Sequence, residues 1–257
     1  MRMLPRLLAL PLVAASLAFG ALGAPAALAV PPVKSDPRLV KLVGTENTRT
    51  FATYRTTDGH SLNPRVLRSD NLSKLTNGDE RKLARLGLAT VIDLRTTVER
   101  QIQPDRSIPR TRHFDEDIFG LDLVEAVDLD SAYAYFVTDA GARAGFANTL
   151  RLVSRTLDRG RTALFHCSAG KDRTGWTAAL LLTIAGVDRA TVERDYLASN
   201  KFRHTSPADP LQGVRLSYLR TSFATANRVY GSFDGYLRKG LRLSDQEITA
   251  LRDRLRA

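Results

Sequence analysis

The chain has 257 residues, 43% hydrophobic and 25% charged, with 38 Lys and Arg against 27 Asp and Glu and a formal charge of +11 at pH 7. That length and apolar fraction suffice for one domain with a sizeable core and exclude a disordered or fibrous chain. The single cysteine, Cys167, excludes an internal disulfide, and His60, His113 and His204 show no ligand spacing and no Cys/His cluster exists, so neither a metal nor another cofactor is expected.

In chain order, basic Met1-Arg2-Met3-Leu4-Pro5-Arg6 precedes a charge-free apolar stretch from Leu7 to Leu22 and a small-x-small site, Ala27-Leu28-Ala29. This predicts a secretory signal peptide over residues 1–29, cleaved after Ala29, hence a secreted protein without a permanent membrane span. Residues 30–46, with Pro31, Pro32 and Pro37, read as a lead-in, and residues 47–257 as one domain. Only Arg2 and Arg6 of the basic excess leave with the leader, so the remaining surface attracts anions in general. Its charges are dispersed and not interleaved with aromatics, which argues against a nucleic-acid partner.

Within the domain, Thr76-Asn77-Gly78-Asp79 starts a helix carrying Leu83 and Leu86 and ending at Gly87, after which Leu88 to Leu94 reads as a buried strand. Asp93 and Arg95, at the end of that strand, either buttress a pocket or pair with each other. A weaker strand is expected around Arg112 to Phe114. Phe146, Leu150, Val153 and Leu157 share one helical face, closed by Gly160. Thr162 to Phe165 is a strand, and Trp176 to Ala185 a helix stopped by Gly186. Asp188 caps a further helix to about Asn200, and Ser244-Asp245-Gln246-Glu247 is a capping box before Ile248, Leu251 and Leu255. The alternation predicts a single α/β domain, a small, largely parallel sheet flanked by helices, with ligand sites at the carboxyl ends of its strands.

One such end carries His166-Cys167-Ser168-Ala169-Gly170-Lys171-Asp172-Arg173-Thr174-Gly175. A loop between a strand end and a helix start presents backbone N–H groups without intrahelical partners, and the positive end of the helix dipole makes it an anion site. The same field and the neighbouring cations favour a thiolate at Cys167, the form that acts as nucleophile. Arg173 offers a planar fork that grips two phosphate oxygens, which Lys cannot do. Thr174 is positioned to hydrogen-bond the sulfur as it leaves a phosphocysteine intermediate. Sulfur transferases also use a loop cysteine, but Lys171-Asp172 and the Arg173-Thr174 helix start favour phosphate.

His-Cys-x5-Arg-Thr resembles the signature loop of the protein tyrosine phosphatase superfamily. The Gly170-Lys171-Asp172-Arg173-Thr174-Gly175 variant is similar to that of bacterial, often secreted, tyrosine and dual-specificity phosphatases. Arg68-Ser69-Asp70-Asn71-Leu72, Val91-Ile92-Asp93-Leu94-Arg95, Pro104-Asp105-Arg106, Asp195 to Asn200 and Tyr230-Gly231-Ser232 extend the likeness from about Asn47 to the C-terminus. The resemblance implies a tyrosine phosphatase-like fold, Cys167 as nucleophile, an in-loop general acid at Asp172, and phosphate binding by Ser168, Ala169, Gly170, Lys171, Arg173 and Thr174. His166 orients the loop or simply packs at the strand end. Asp115, Asp117 and Asp139 are rival acids, though Thr138-Asp139-Ala140 reads more simply as a helix cap. The expected substrates are phosphorylated proteins or peptides, phosphotyrosine first and phosphoserine or phosphothreonine second. Phosphoinositides are the alternative, favoured by Lys171 as a site for a second anionic group. A non-catalytic phosphate-binding module is a third reading, which the intact Cys167, Asp172 and Arg173 oppose. One departure stands out: Thr50, Ala52 and Thr53 replace the Asp and two Gly usual in relatives, a change expected to bear on substrate choice.

Overall fold

The computed structural model describes Asp36 and residues 38–118 and 129–257. The expected signal peptide and the start of the lead-in lie outside the described residues. Five strands form one sheet: β1 (Arg49–Thr50), β2 (Val66–Ser69), β3 (Leu88–Asp93), β4 (Arg112–Asp115) and β5 (Thr162–His166). They are ordered β1-β2-β5-β3-β4; β1 is antiparallel to β2 and the remaining pairs are parallel. β5 is central and every one of its residues is buried, as a parallel strand covered on both faces requires.

Strand alternation divides the core. Leu67, Val91 and Leu164 point to one face, with Leu83 of α1 (Asn77–Arg85). Val66, Ile92, Ala163 and Phe165 point to the other, where the large cluster gathers the remaining long helices. These are α3 (Leu129–Thr138), α4 (Ala140–Asp158), α5 (Arg173–Ala185), α6 (Arg189–Phe202), α7 (Leu216–Tyr230) and α9 (Asp245–Leu255). A short helical turn, α8 (Phe233–Gly235), and a π-helical turn, Tyr236–Gly240, join the last two. Phe146, Leu150, Val153 and Leu157 of α4 are buried together, as their spacing predicts. Full burial of each such side chain contributes about 1.5–3 kcal/mol. α5 runs through the middle of this layer with only Thr183 outside its buried set, which explains why it reads as apolar all round. No helix among the described residues is long and apolar enough to cross a membrane.

The largely parallel sheet, the Thr76, Asp188 and Ser244 helix starts and the Gly186 stop agree with the sequence reading. Strands β1 and β2 were not expected, and Leu86, expected on the apolar face of α1, is exposed. Two further features differ. Helix α2 (Thr97–Ile102) was not anticipated, because none of its residues is buried and it therefore carries no apolar period. The expected lead-in is, from Arg38 onward, built into the fold: Leu39 bridges Arg49, Val40 N donates to Thr48 O at 3.0 Å, and Leu42 is buried.

Candidate active site

β5 ends on His166 and α5 begins on Arg173, so Cys167 to Asp172 form a loop at the carboxyl edge of the central strand. Its carbonyls are tied down from behind. Asn71 donates its backbone N–H and its Nδ2 to Ser168 O, both at 3.2 Å. Asn47 Nδ2 reaches Ala169 O at 3.2 Å and Gly170 O at 3.0 Å, Arg203 Nη1 reaches Ala169 O at 3.2 Å, and Arg68 Nη2 reaches Gly170 O at 2.8 Å. In a planar trans peptide an outward carbonyl turns its N–H the other way, toward the hollow above the sulfur. Gly170 is required: its φ is +65°, and a Cβ there would lie 2.6 Å from Asp70 N and Ser69 O.

The ties have their own foundation. Arg68 and Arg49, both fully buried, share the Asp195 carboxylate of α6, Arg49 Nε at 3.5 Å and Arg68 Nη1 closer, while Tyr54 Oη donates to Asp195 Oδ1 at 2.9 Å. Burial pushes the Asp195 carboxyl up, but the two guanidiniums outweigh it and hold it below the ordinary range. Burial and the charge of Arg68 draw Arg49 down to about 10 against the pull of Asp195. Asp70 accepts from Glu46 N and Asn47 N at 3.0 Å each, which places the Asn47 side chain under the loop.

At the loop's floor, Cys167 is 2% exposed. Arg173 closes one side, its Nη1 and Nη2 each 2.7 Å from a different oxygen of Glu99 on α2. Ser168 Oγ donates to the same Glu99 at 2.5 Å. Burial pushes Glu99 up, but its bonds to Arg173 prevail and draw it down to about 2. Burial likewise opposes the Arg173 charge, yet Glu99, with Cys167 and Asp172 contributing, holds the guanidinium above its ordinary range. Glu99 thus grips the Nη1–Nη2 edge and fixes the plane of the fork. Thr174 is fully buried and its Oγ1 has no hydrogen-bond partner among the described residues, so the expected bond to the sulfur is not formed here.

Asp172 stands at the N-cap of α5 but makes no side-chain capping bond. Helices α1, α2, α4, α6 and α9 all carry such a cap. The amino end of α5 is therefore left uncovered, as an anion site demands. The Asp172 carboxylate turns instead to Tyr133 Oη at 2.7 Å and to Lys171 Nζ at 2.9 Å. Its rivals are otherwise engaged: Asp139 N-caps α4 through Ala142 N at 2.7 Å, Asp115 pairs with Arg100 at 3.5 Å, and Asp117 accepts from Thr97 N at 3.3 Å.

The residues expected to support the loop form one buried network. Arg95 binds Asp93 through Nε and Nη2 at 2.6–3.0 Å and Asp105 through Nη2 at 2.8 Å, while His166 Nε2 lies 2.8 Å from Asp105 Oδ2. Burial works against a charged His166, but Asp105 and then Asp93 outweigh it and raise its pKa. Asp93, Asp105 and His166 lie close enough to hold a metal ion, but the cation among these carboxylates is the Arg95 guanidinium. Asp93 and Arg95 form an internal ion pair, and Asp105 links that pair to His166 where the loop begins.

Two expectations are corrected. Lys171 is only 5% exposed, its Nζ held by Asp172 and by Gly213 O at 3.4 Å, so it faces inward rather than toward a second anionic group. The Thr50–Thr53 departure is structural: Thr50 Oγ1 donates to Pro64 O at 3.1 Å and accepts from Ala52 N at 3.2 Å, a Ser/Thr turn replacing what an Asp does in such a place. Thr50 pairs with Leu67, which is level with Leu164 in the middle of β5, and its side-chain bonds run to Pro64 and Ala52 rather than to the Cys167 loop. Glu99 and Tyr133 escaped the sequence reading. Thr96-Thr97-Val98-Glu99 does carry a capping-box signal, and Glu99 Oε2 accepts from Thr96 N at 2.9 Å, but nothing local announces that the same carboxylate holds Arg173.

A thiol under a ring of N–H groups, faced by an aimed guanidinium at an uncapped helix end, defines a cysteine-dependent phosphatase. The chain belongs to the tyrosine phosphatase family, whose family model matches residues 40–257. It is 31% identical over 219 residues to a tyrosine-protein phosphatase of Nostoc commune, covering 74% of this chain and 73% of that one. It is 29% identical over 233 residues to the triple specificity protein phosphatase PtpB of Mycobacterium tuberculosis, covering 68% and 84%. Among solved structures, human DUSP28 is similar at 14% identity and a TM-score of 0.39, over 65% of this chain and 91% of that one.

Proposed function

We propose that this phosphatase acts first on phosphotyrosine in proteins or peptides, by two displacements at phosphorus. Sγ of Cys167 attacks phosphorus, the bond to the ester oxygen breaks, and Asp172 gives its proton to the departing oxygen. Water then attacks the phosphocysteine, the S–P bond breaks, and Asp172 takes back a proton. Arg173 and the loop N–H groups neutralise the equatorial oxygens in both steps. The observation that carries this reading is the Asp172 carboxylate beside the loop, released from helix capping and tethered by Tyr133 and Lys171. The name of the Mycobacterium tuberculosis relative supports testing substrates beyond phosphotyrosine. The inward Lys171 leaves phosphoinositides the lesser reading. Secretion, through cleavage after Ala29, belongs to the same proposal, and N-terminal sequencing of protein from the culture medium tests it.

Phosphotyrosine, phosphoserine and phosphothreonine peptides together with phosphoinositide micelles form the decisive panel. Phosphotyrosine peptides are expected to give the highest kcat/KM, and Cys167→Ser to keep the fold and phosphate binding while losing turnover. Faster turnover of phosphoinositides would reverse the order of substrates. Substantial activity in Cys167→Ser would remove the covalent route.

A further inference from the structure

Asp at an N-cap ordinarily turns its carboxylate onto the N–H groups of the following turn. There the Asp172 carboxylate would be spent on capping and turned away from the leaving oxygen. Something must keep it away from α5, and the described residues show what does. Tyr133 of α3 donates to Asp172 Oδ1 at 2.7 Å, and Tyr196 of α6 lies 2.6 Å from the same phenol oxygen. With Tyr133 donating to the carboxylate, Tyr196 supplies the proton of their shared contact, so the chain runs Tyr196 to Tyr133 to Asp172.

The Tyr133 ring is held rigidly for this. It is fully buried, stacked on Tyr218 at 5.5 Å, edge-on to Tyr196 at 6.2 Å and tilted against Phe136 at 5.0 Å. Ser222 of α7 donates to the Tyr133 carbonyl at 2.7 Å, fixing the backbone beneath it. A phenol with one accessible position places a carboxylate far better than a flexible partner does. Lys171 Nζ, 2.9 Å from Oδ2, is the second tether.

We propose that Tyr133, backed by Tyr196, is a positioning residue that holds the general acid in reach of the leaving oxygen and off the amino end of α5; this rests on Asp172 being that acid. The role is distinct from phosphate binding and from the nucleophile: it concerns the proton that Asp172 gives to the departing group and takes back from water, and only the first of these depends on the ester. It follows that loss of the Tyr133 hydroxyl matters in proportion to the basicity of that group.

The test compares kcat/KM, which reports transfer to Cys167 and not hydrolysis of the common phosphocysteine, for phenyl phosphate, a poor leaving group, and 4-nitrophenyl phosphate, a good one, in Tyr133→Phe, Tyr196→Phe, Asp172→Asn and the Tyr133→Phe/Asp172→Asn double variant. Tyr133→Phe keeps the ring and its stacking. It is expected to lose on the order of 10–100-fold on phenyl phosphate, part of the roughly 10²–10⁴-fold that general acid catalysis contributes, and about 2-fold or less on the nitrophenyl ester. In Tyr196→Phe, where Tyr133 still donates to Asp172, the loss is smaller. In the Asp172→Asn background, Tyr133→Phe should add nothing, because the two act as one unit. Equal losses on both esters, or full additivity in the double variant, would overturn the positioning role while leaving Asp172 as the acid. If Asp172→Asn itself shows no leaving-group dependence, the acid assignment fails and the role of Tyr133 falls with it.

Discussion

Arg173 is worth more than its charge because Glu99 fixes the plane of its fork. Lys at this position keeps a cation but cannot span two oxygens. Arg173→Lys is therefore expected to lower kcat by about 10²–10³-fold, the scale of removing a preorganised donor to transition-state charge. Glu99→Gln leaves Arg173 in place and removes the charge that aims it. A charge-assisted hydrogen bond contributes roughly 1.5–3 kcal/mol, so a loss of about 10-fold or more in kcat/KM is expected. Steady-state kinetics on one phosphotyrosine peptide decide both, and an unchanged Glu99→Gln enzyme would show that the fork needs no aiming.

Between elements, the Asp195 carboxylate does most of the joining around the loop. Carried on α6, it binds Arg68 of β2 and Arg49 of β1, and Arg68 reaches on to the Gly170 carbonyl. Asp195→Asn leaves two buried guanidiniums short of a counter-charge, and breaking such a pair costs about 3–5 kcal/mol. Urea denaturation is expected to show that loss, with turnover falling too because Arg68 ties the loop; a shift below about 1 kcal/mol would mean that water or another carboxylate compensates. This division also explains what the sequence could disclose. The nucleophile loop was legible because strand end, N–H cradle and guanidinium are contiguous in the chain, and α4, α6 and α9 because caps and apolar spacing are local signals. Glu99 and Tyr133 were not, since they meet Arg173 and Asp172 from 74 and 39 residues away, on α2 without an apolar stripe and on a tyrosine that looks like core. Arg68 and Asp195 were readable only through family likeness, because a buried charge is meaningful by its partner and the partner is fixed by the fold.

At the scale of the whole molecule, these networks set how stability follows pH. Burial pushes Glu99, Asp105 and Asp195 up, but the cations they face more than reverse it, so all three are more acidic folded than unfolded. Their contribution is complete above the unfolded carboxylate values and is lost as pH falls through the folded ones, which for Glu99 is the interval from 4.5 to about 2. Asp70 and Glu116, which burial moves the opposite way, offset part of this. His166 acts at the other limit. Its folded pKa lies above 6.5, so the stability it brings is fully present below pH 6.5 and disappears as pH rises through the folded value. His113, drawn down by burial, has the opposite slope, so the informative comparison is between His166→Gln and the parent. Urea unfolding from pH 3 to 9 is expected to give a maximum between about pH 5 and 6.5, within the usual range for paired carboxylates. His166→Gln should lower that maximum and flatten the decline above pH 6.5, because Gln can bond Asp105 but cannot supply charge to Asp93 and Asp105. An alkaline slope identical in both proteins would mean that His166 is neutral in the native state, and the loop would then be braced by Arg95 alone.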